Sequence, residues 1–542
     1  MKRKNALYSA LAGTVALGLI LAGCGNQNPT VGEDGKPIVS VQVVKDSRTL
    51  KISSFKWSKE LEKMCDCHIN WLETPAASWD QQKKAALAAG DVADITISGY
   101  GSGDMPQYGS LFMDLSKELK SLPNLSKAFE KSPYARVVST TSDGKLLGTP
   151  RIANEPARSS NHLFINKQWL DKLGLSVPTT WDEFKKVLEA FKTQDPNGNG
   201  KHDEIPLDLN SPGTDGFGTF SANVFLGSEG ITISNGGLGL YAENGKIKSY
   251  LTDPRYKKLI KYLNSLWKEG LISKEFFTHD WSKYTGTAKG SGNTAIVGAS
   301  IMWTPSDLFG TTLGPQYVTI PQLKADAHQT EKPVWTYNGD DLAYSAYRAV
   351  VSNKVANKKA ALKLLDAFYS PSMSVQMSYG DLGTCVKKVS DTEFTILPPS
   401  DKSKNSSDWQ FINSLGDRSP VDLSSVKLNL PAEQSEYQKT DKVYDKDFAN
   451  TDLNKDVIYS NMPQTKDQST QLSKYSTGIN QNSMSKFAQW VTKGGVDEQW
   501  DAYVSSLKKN HLDKVIKINQ DIYDSYTQKM SKLDVNLNSL GK

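Results

Sequence analysis

Between Pro37 and Tyr100 the apolar residues recur with two alternating periods. "PIVSVQVV" alternates as a strand does, "SSFKWSKELEKMC" places its apolar residues on one helical face, and "HINWLET" alternates again. "SWDQQKKAALAAGD" predicts a helix capped by Ser78, and "ADITISGY" predicts a further strand. Strand and helix in alternation predict an α/β lobe built from βαβ units. After "GTPRIANEPARSSNHLFINKQWL" a second unit of the same kind begins. There "TTWDEFKKVLEAFK" predicts a helix with Thr180 as cap and Glu183 completing a capping box. "DPRYKKLIKYLNSLWKEGLI" predicts a long amphipathic helix closed by Gly270. "NTAIVGASIMW" and "YVTIPQL" read as strands, and "NKKAALKLLDAFYS" as a helix stopped before Pro371. From roughly 385 to 475 the chain turns polar and predicts loops and short helices laid over a surface. "VDEQWDAYVSSLKKNHLDKVIKINQDIYDSY" predicts helix throughout, with a break near Asn510.

A chain of 542 residues exceeds one hydrophobic core and predicts at least two lobes. The N-terminus adds a processing step. "MKRK" is a basic n-region, and "ALYSALAGTVALGLILAG" is an apolar h-region that leads into "LAGCG". Leu-Ala-Gly-Cys resembles the bacterial lipobox, which implies cleavage after residue 23 and a lipid on Cys24. "GNQNPTVGEDGKP", within residues 24–37, then reads as a flexible tether. Lys2, Arg3 and Lys4 are the only charges removed, so the net charge falls from +5 to +2. No basic stripe with interleaved aromatics appears, so no nucleic acid is expected as a partner. No second apolar run approaches a membrane span, so membrane contact is expected through the lipid anchor only. The chain is expected outside the cytoplasm, anchored to the outer face of the cell membrane. Cys65, Cys67 and Cys385 remain after lipidation; Cys65 can bridge Cys67, or either can reach Cys385.

"DPNGNGKHDEIP" is too rich in Asp, Asn and Gly for any regular element. A phosphate loop needs Gly where Asp195 stands and Ser or Thr where His202 stands. "SGYGSGD" likewise lacks dinucleotide-binding glycine spacing. Calcium fits better. Asp195, Asn197 and Asn199 occupy loop positions for alternate oxygen ligands, Gly200 the sharp turn, Lys201 the carbonyl position and Asp203 the following ligand position. Pro206 stands where an EF-hand has its bidentate Glu.

The lipobox, the crossover "LFINKQWLDKLGLSVPTTWDEFKK", the strand "GASIMWTP" and the closing "WDAYVSSLKKNHLDKVIKINQDIYDSY" together resemble the family 1 extracellular solute-binding proteins. The likeness is to their long lipoprotein branch, which serves oligosaccharide ABC importers. It implies a two-lobed periplasmic-binding-protein-like fold, a monomer with a hinge and an inter-lobe cleft. Segment order places lobe one at 38–157 plus 318–366 and lobe two at 158–317 plus 367–542. The loop is similar to that of alginate-binding members, where adjacent acids corresponding to Asp203 and Glu204 complete a structural calcium cage.

A sugar offers apolar C–H faces to aromatic rings and hydroxyls to Asp, Asn, Arg and Glu. Candidates at strand ends facing the cleft are Tyr100, Arg158, Phe217, Trp303, Tyr337 and Asp341. The expected function is capture of an oligosaccharide by hinge closure and delivery to ABC permease subunits. The alternatives are a lipid-anchored glycan hydrolase or a peptide-binding protein of the same fold. No catalytic motif for hydrolysis is present, so no enzyme is expected.

Overall fold

Each of the two main sheets has its own apolar core, and the chain passes between them three times. The computed structural model describes residues 30–213, 216–234, 238–432 and 434–532. The signal segment and Cys24 lie outside these residues. In chain order the strands are β1 (Ile38–Lys45), β2 (His68–Pro75), β3 (Ile95–Ile97), β4 (Thr149–Ile152), β5 (His162–Asn166), β6 (Ile205–Leu207) and β7 (Leu240–Glu243). They continue as β8 (Lys246–Ser249), β9 (Val297–Met302), β10 (Tyr317–Thr319), β11 (Tyr344–Val351), β12 (Val386–Lys388), β13 (Glu393–Ile396) and β14 (Lys427–Asn429).

The first sheet has the order β2-β1-β3-β11-β4. β1 runs parallel to β2 and β3, as βαβ units require, while β11 returns antiparallel. Alternation in β1 turns Val39, Val41 and Val43 inward, all fully buried. The second sheet, β10-β5-β9-β6, is buried along every residue of β5 and β9, as in strands covered on both faces. Phe184, Leu188 and Phe191 of the helix Trp181–Thr193 pack in its core. Thr180 accepts from the Glu183 N–H at 3.2 Å, but the Glu183 carboxylate turns to Thr179 rather than back to the cap.

Several boundaries differ from those read in the sequence. The helix Ala76–Ala89 starts before Ser78, with Pro75 ahead of it, so Ser78 lies inside the first turn and caps nothing. Residues 30–37 are not a free tether: the Thr30 carbonyl accepts from Ile38 and from Asn357, and Asp34 bonds His68 at 2.9 Å. β10 pairs with β5, so the return to the first sheet comes after residue 319 rather than at 318. Met373, Val386, Phe394 and Leu423 join the first core, which moves much of 371–428 off the second lobe. The polar stretch ends in a helix, Lys466–Lys493, that packs Phe487 and Trp490 into the second core. Cys65 bonds Cys67, and Cys385 is a buried free thiol. Among the described residues no helix is long and apolar enough to cross a membrane.

The three passages are tied to one another. Asp441 accepts from Arg158 Nε at 2.8 Å and from the backbone N–H groups of Arg158 and Ser159 at 3.2 and 3.3 Å. The Arg158 guanidinium also reaches Asp445 at 2.6 Å and lies over the Phe448 ring. Ser159 and Thr336 share a hydroxyl bond at 2.6 Å, and the Asn338 N–H donates to the Arg158 carbonyl at 3.0 Å. Burial opposes ionisation of Asp441, but hydrogen bonding toward His162 and the Arg158 charge outweigh it and hold the carboxyl below its ordinary value. A lowered carboxyl stabilises the fold above the unfolded value of 3.8 and loses that contribution as pH falls through its folded value. Asp441→Ala is therefore expected to cost about 2–3 kcal/mol at neutral pH. Urea unfolding should show this, with the gap to wild type closing in acid.

Candidate functional site

Behind these passages the second lobe holds a cavity of about 300 Å³. Its walls come from distant parts of the chain. Ser160 and Asn161 precede β5, the turn 216–219 carries Phe217, residues 336–338 lead toward β11, and Asn480, Ser483 and Met484 come from the helix Lys466–Lys493. Phe217 is held edge-on by Phe487 at 4.7 Å, with Tyr250 and Tyr256 at 6.3 Å. Tyr337 is fixed through its N–H to the Ile233 carbonyl at 2.8 Å. Burial pushes the phenols of Tyr250 and Tyr337 above their ordinary value, so both stay neutral donors.

The polar share of the wall is amide and hydroxyl: Asn161, Asn223, Asn338 and Asn480 with Ser160 and Thr219. None of the described lining residues is Asp, Glu, Lys, Arg or His. Such a wall recognises neutral hydroxyls and C–H faces, and offers a bound ion no counter-charge. Asn338 also belongs to the brace, since its Oδ1 accepts from Ser160 N at 2.9 Å.

The short helix Gly339–Ala343 leads from the cavity to a charged cluster. Burial raises the Asp341 carboxyl, with Arg348 pulling the other way. Burial likewise lowers Arg348, against the attraction of Asp417 and Asp341. The Nε atoms of Arg151 and Arg348 are buried without a hydrogen-bond partner.

The six sequence candidates thus fall in different surroundings. Phe217 and Tyr337 line the cavity together. Asp341 sits in the charged cluster, within the short helix that follows the lining residue Asn338. Trp303 stacks on Tyr437 at 5.5 Å, and its carbonyl accepts from His162 Nδ1 at 2.7 Å. Tyr100 is packed in the first lobe between Trp79 and Phe112, its phenol pushed up to about 12 by burial and the nearby Asp104 and Asp91. Arg158 is engaged by Asp441 and Asp445. The asparagines and serines of the wall were not read from the sequence, because isolated amides carry no periodic signal.

The loop 195–204 lies on the same lobe. Asp195 has φ 45°, and its carboxylate accepts from the N–H groups of Gly198, Asn199 and Gly200 at 3.0–3.2 Å. Asn197 and Asn199 turn their amides to Asp203 at 3.1 and 3.0 Å. A half-turn of either amide exchanges its nitrogen for an oxygen. The Lys201 N–H donates to Asn199 Oδ1, while Lys172 holds the Asp195 and Pro196 carbonyls. Both Glu204 oxygens are buried and unpaired. Burial raises the Glu204 carboxyl, against the pull of its own and the Asn197 backbone N–H, and the charges of Asp195 and Asp203 raise it further. Among the described residues no three carboxylate, His or Cys side chains converge on one point, since Asp195 is turned to its own loop's amides. The donor set is nonetheless all oxygen, with a buried anion that lacks a partner. That chemistry fits a hard divalent cation.

Residues 55–374 match the family described as bacterial extracellular solute-binding proteins. The HMO-binding, ABC-transporter-associated solute-binding protein of Bifidobacterium longum infantis is 38% identical, with a TM-score of 0.85 over 91% of this chain and 100% of that one. The fructooligosaccharide ABC transporter substrate-binding protein FusA of Streptococcus pneumoniae serotype 4 is 28% identical over 97% of this chain and 99% of its own. An EF-hand mutant of pneumococcal FusA in complex with fructo-nystose shares the fold, with a TM-score of 0.78 at 22% identity over 91% of this chain and 100% of that one.

The raised Glu204 carboxyl gives the metal-free loop a pH signature of its own. A carboxyl raised on folding favours the folded state below its unfolded value and loses that advantage as pH rises through its folded value. In chelator, the melting temperature of Glu204→Gln minus that of wild type should become more positive between about pH 4 and pH 7.

Proposed function

The chain belongs to the bacterial extracellular solute-binding proteins, and we propose that it captures a neutral oligosaccharide and presents it to the permease of an ABC importer. The observation that carries this is the cavity wall, aromatic and amide-rich with no charged side chain among its described residues. Phe217, Tyr250 and Tyr337 meet the C–H faces of a sugar, while the four asparagines and the serine and threonine hydroxyls meet its rim. The names of the Bifidobacterium and Streptococcus relatives point the same way. The cavity lies on the second lobe beside the chain passages, and a ligand extending from it to the first lobe makes its full contacts only when the lobes close, so binding shifts the hinge by that difference in contact. Closure gives the permease a surface that distinguishes loaded from empty protein. The described wall offers no carboxylate pair to act as acid and nucleophile, so we read the cavity as a binding site without turnover.

Two further parts complete the reading. Cys24 carries the lipid that keeps the protein at the outer face of the membrane, beside its permease. The loop 195–204 holds calcium as a structural ion through Asp195, Asn197, Asn199, Asp203 and Glu204, with the Lys201 carbonyl. The unpaired Glu204 carboxylate supports this, as does the EF-hand attributed to FusA. Calcium supplies charge there and nothing else.

Calorimetry should show binding of neutral oligosaccharides and none of oligouronates of equal length. Saturation at about a hundredfold excess over Kd adds about 2.7 kcal/mol to stability. Asn480→Ala should weaken binding about tenfold through one lost hydrogen bond. Uptake of oligouronates alone, or steady release of reducing sugar, would overturn the reading. Calcium added to chelated protein should raise the melting temperature of wild type and leave that of Asp195→Ala unmoved.

A further inference from the structure

Trp281 opens the helix Trp281–Ala288 and leaves 47% of its surface in water, the only Phe, Tyr or Trp ring so exposed among the described residues. The ring is nevertheless held. It stacks on Phe220 with centroids 5.9 Å apart and planes 30° from parallel, and it meets Tyr284 at 5.8 Å. Tyr284 is fully buried, and its hydroxyl donates to the Ile301 carbonyl in β9 at 2.6 Å. Phe220 is fixed on its other side: its N–H donates to Asn161 Oδ1 at 2.7 Å, and its carbonyl accepts from Asn210 at 3.2 Å. Asn161 and Thr219, the residue before Phe220, both line the cavity. A pair of rings with buried supports therefore adjoins the cavity wall, Phe220 following the lining residue Thr219 and Trp281 stacked on it.

We propose that Trp281 and Phe220 form an outer sugar subsite, a platform for the part of an oligosaccharide that extends beyond the cavity. The proposal rests on the reading of the cavity as a neutral-oligosaccharide site and adds to it a preference for length. The cavity, at about 300 Å³, lies at the small end of ligand pockets and takes the end of a chain rather than a long one. The next unit would otherwise leave its apolar C–H face in water, as Trp281 leaves its ring. Stacking the two removes both faces from solvent, and a ring already fixed by Phe220 and Tyr284 loses little freedom in doing so.

The test is calorimetry with kestose, nystose and fructosylnystose, each one fructose longer, and a parallel series built on lactose. Wild type is compared with Trp281→Ala and Trp281→Phe, after melting curves confirm that both variants fold. Trp281→Ala should leave affinity for the shortest ligand bound unchanged and weaken the longest about tenfold, while Trp281→Phe keeps most of the affinity for every length. Equal loss at all lengths would place Trp281 in the support of the cavity and overturn the subsite. No loss at any length would also overturn it, and is the result expected if the ring meets the permease instead. Wild type silent to both series would sink the cavity reading first, and the subsite with it.

Discussion

The Asp441 carboxylate fastens two of the three chain passages on which the two-lobed structure turns. It takes the Arg158 side chain and two successive backbone N–H groups of the first passage, while belonging itself to the third. The second passage joins through Thr336 and Asn338. A buried ion pair is a poor source of net stability, because desolvation offsets most of its attraction. Its value here lies in position. A hinge of three unconnected strands could shear as well as bend; one tied by a shared carboxylate bends about the knot.

Asn338 gives that knot a second meaning. Its amide oxygen serves the Ser160 N–H of the brace, and the same residue forms part of the cavity wall. On the proposed reading of the cavity, ligand contact and hinge geometry meet at one side chain, with no long relay to invoke. In the proposed function, the neutrality of the wall would set selectivity by a related logic. Four amides and several hydroxyls arranged for a polyhydroxylated ligand reject an analogue that leaves them unpaired, at a larger penalty than an apolar wall could impose.

How far the sequence foretells this depends on whether the signal is local. β1 shows its alternation, Thr180 its cap, and the break at Asn510 falls where His511 takes φ 67° between two helices. Phe217, in a glycine-rich segment, and Tyr337 are read from the sequence as aromatic faces for a sugar, and the structure places both in the cavity wall. Tyr100, at a strand end, and Arg158, near the first crossover, come from the same reading, but the structure surrounds one with Trp79 and Phe112 and gives the other to Asp441, partners distant in sequence. The helix Lys466–Lys493 was hidden by its polar composition. Its one local mark was Thr465 with Gln468 three residues on, a reciprocal capping box that the structure completes in both directions. Without that helix the contributions of Asn480, Ser483 and Met484 to the cavity could not be placed.

Neither lobe is a continuous length of chain. The first begins at β1 but takes β11 and then Met373, Phe394 and Leu423 into its core; the second begins at β5 and needs Phe487 and Trp490. A chain that emerges N-terminus first, from a ribosome or through a membrane pore, therefore cannot finish its first lobe until more than two-thirds of it has passed. Until β11 emerges, β3 has an open edge with no partner strand beyond it, and the core still waits for Met373, Phe394 and Leu423 after that. The crossings that later confine the hinge to a bend thus also delay folding. A protein threaded across a membrane unfolded gains from that delay, because a lobe that closed early would block its own passage.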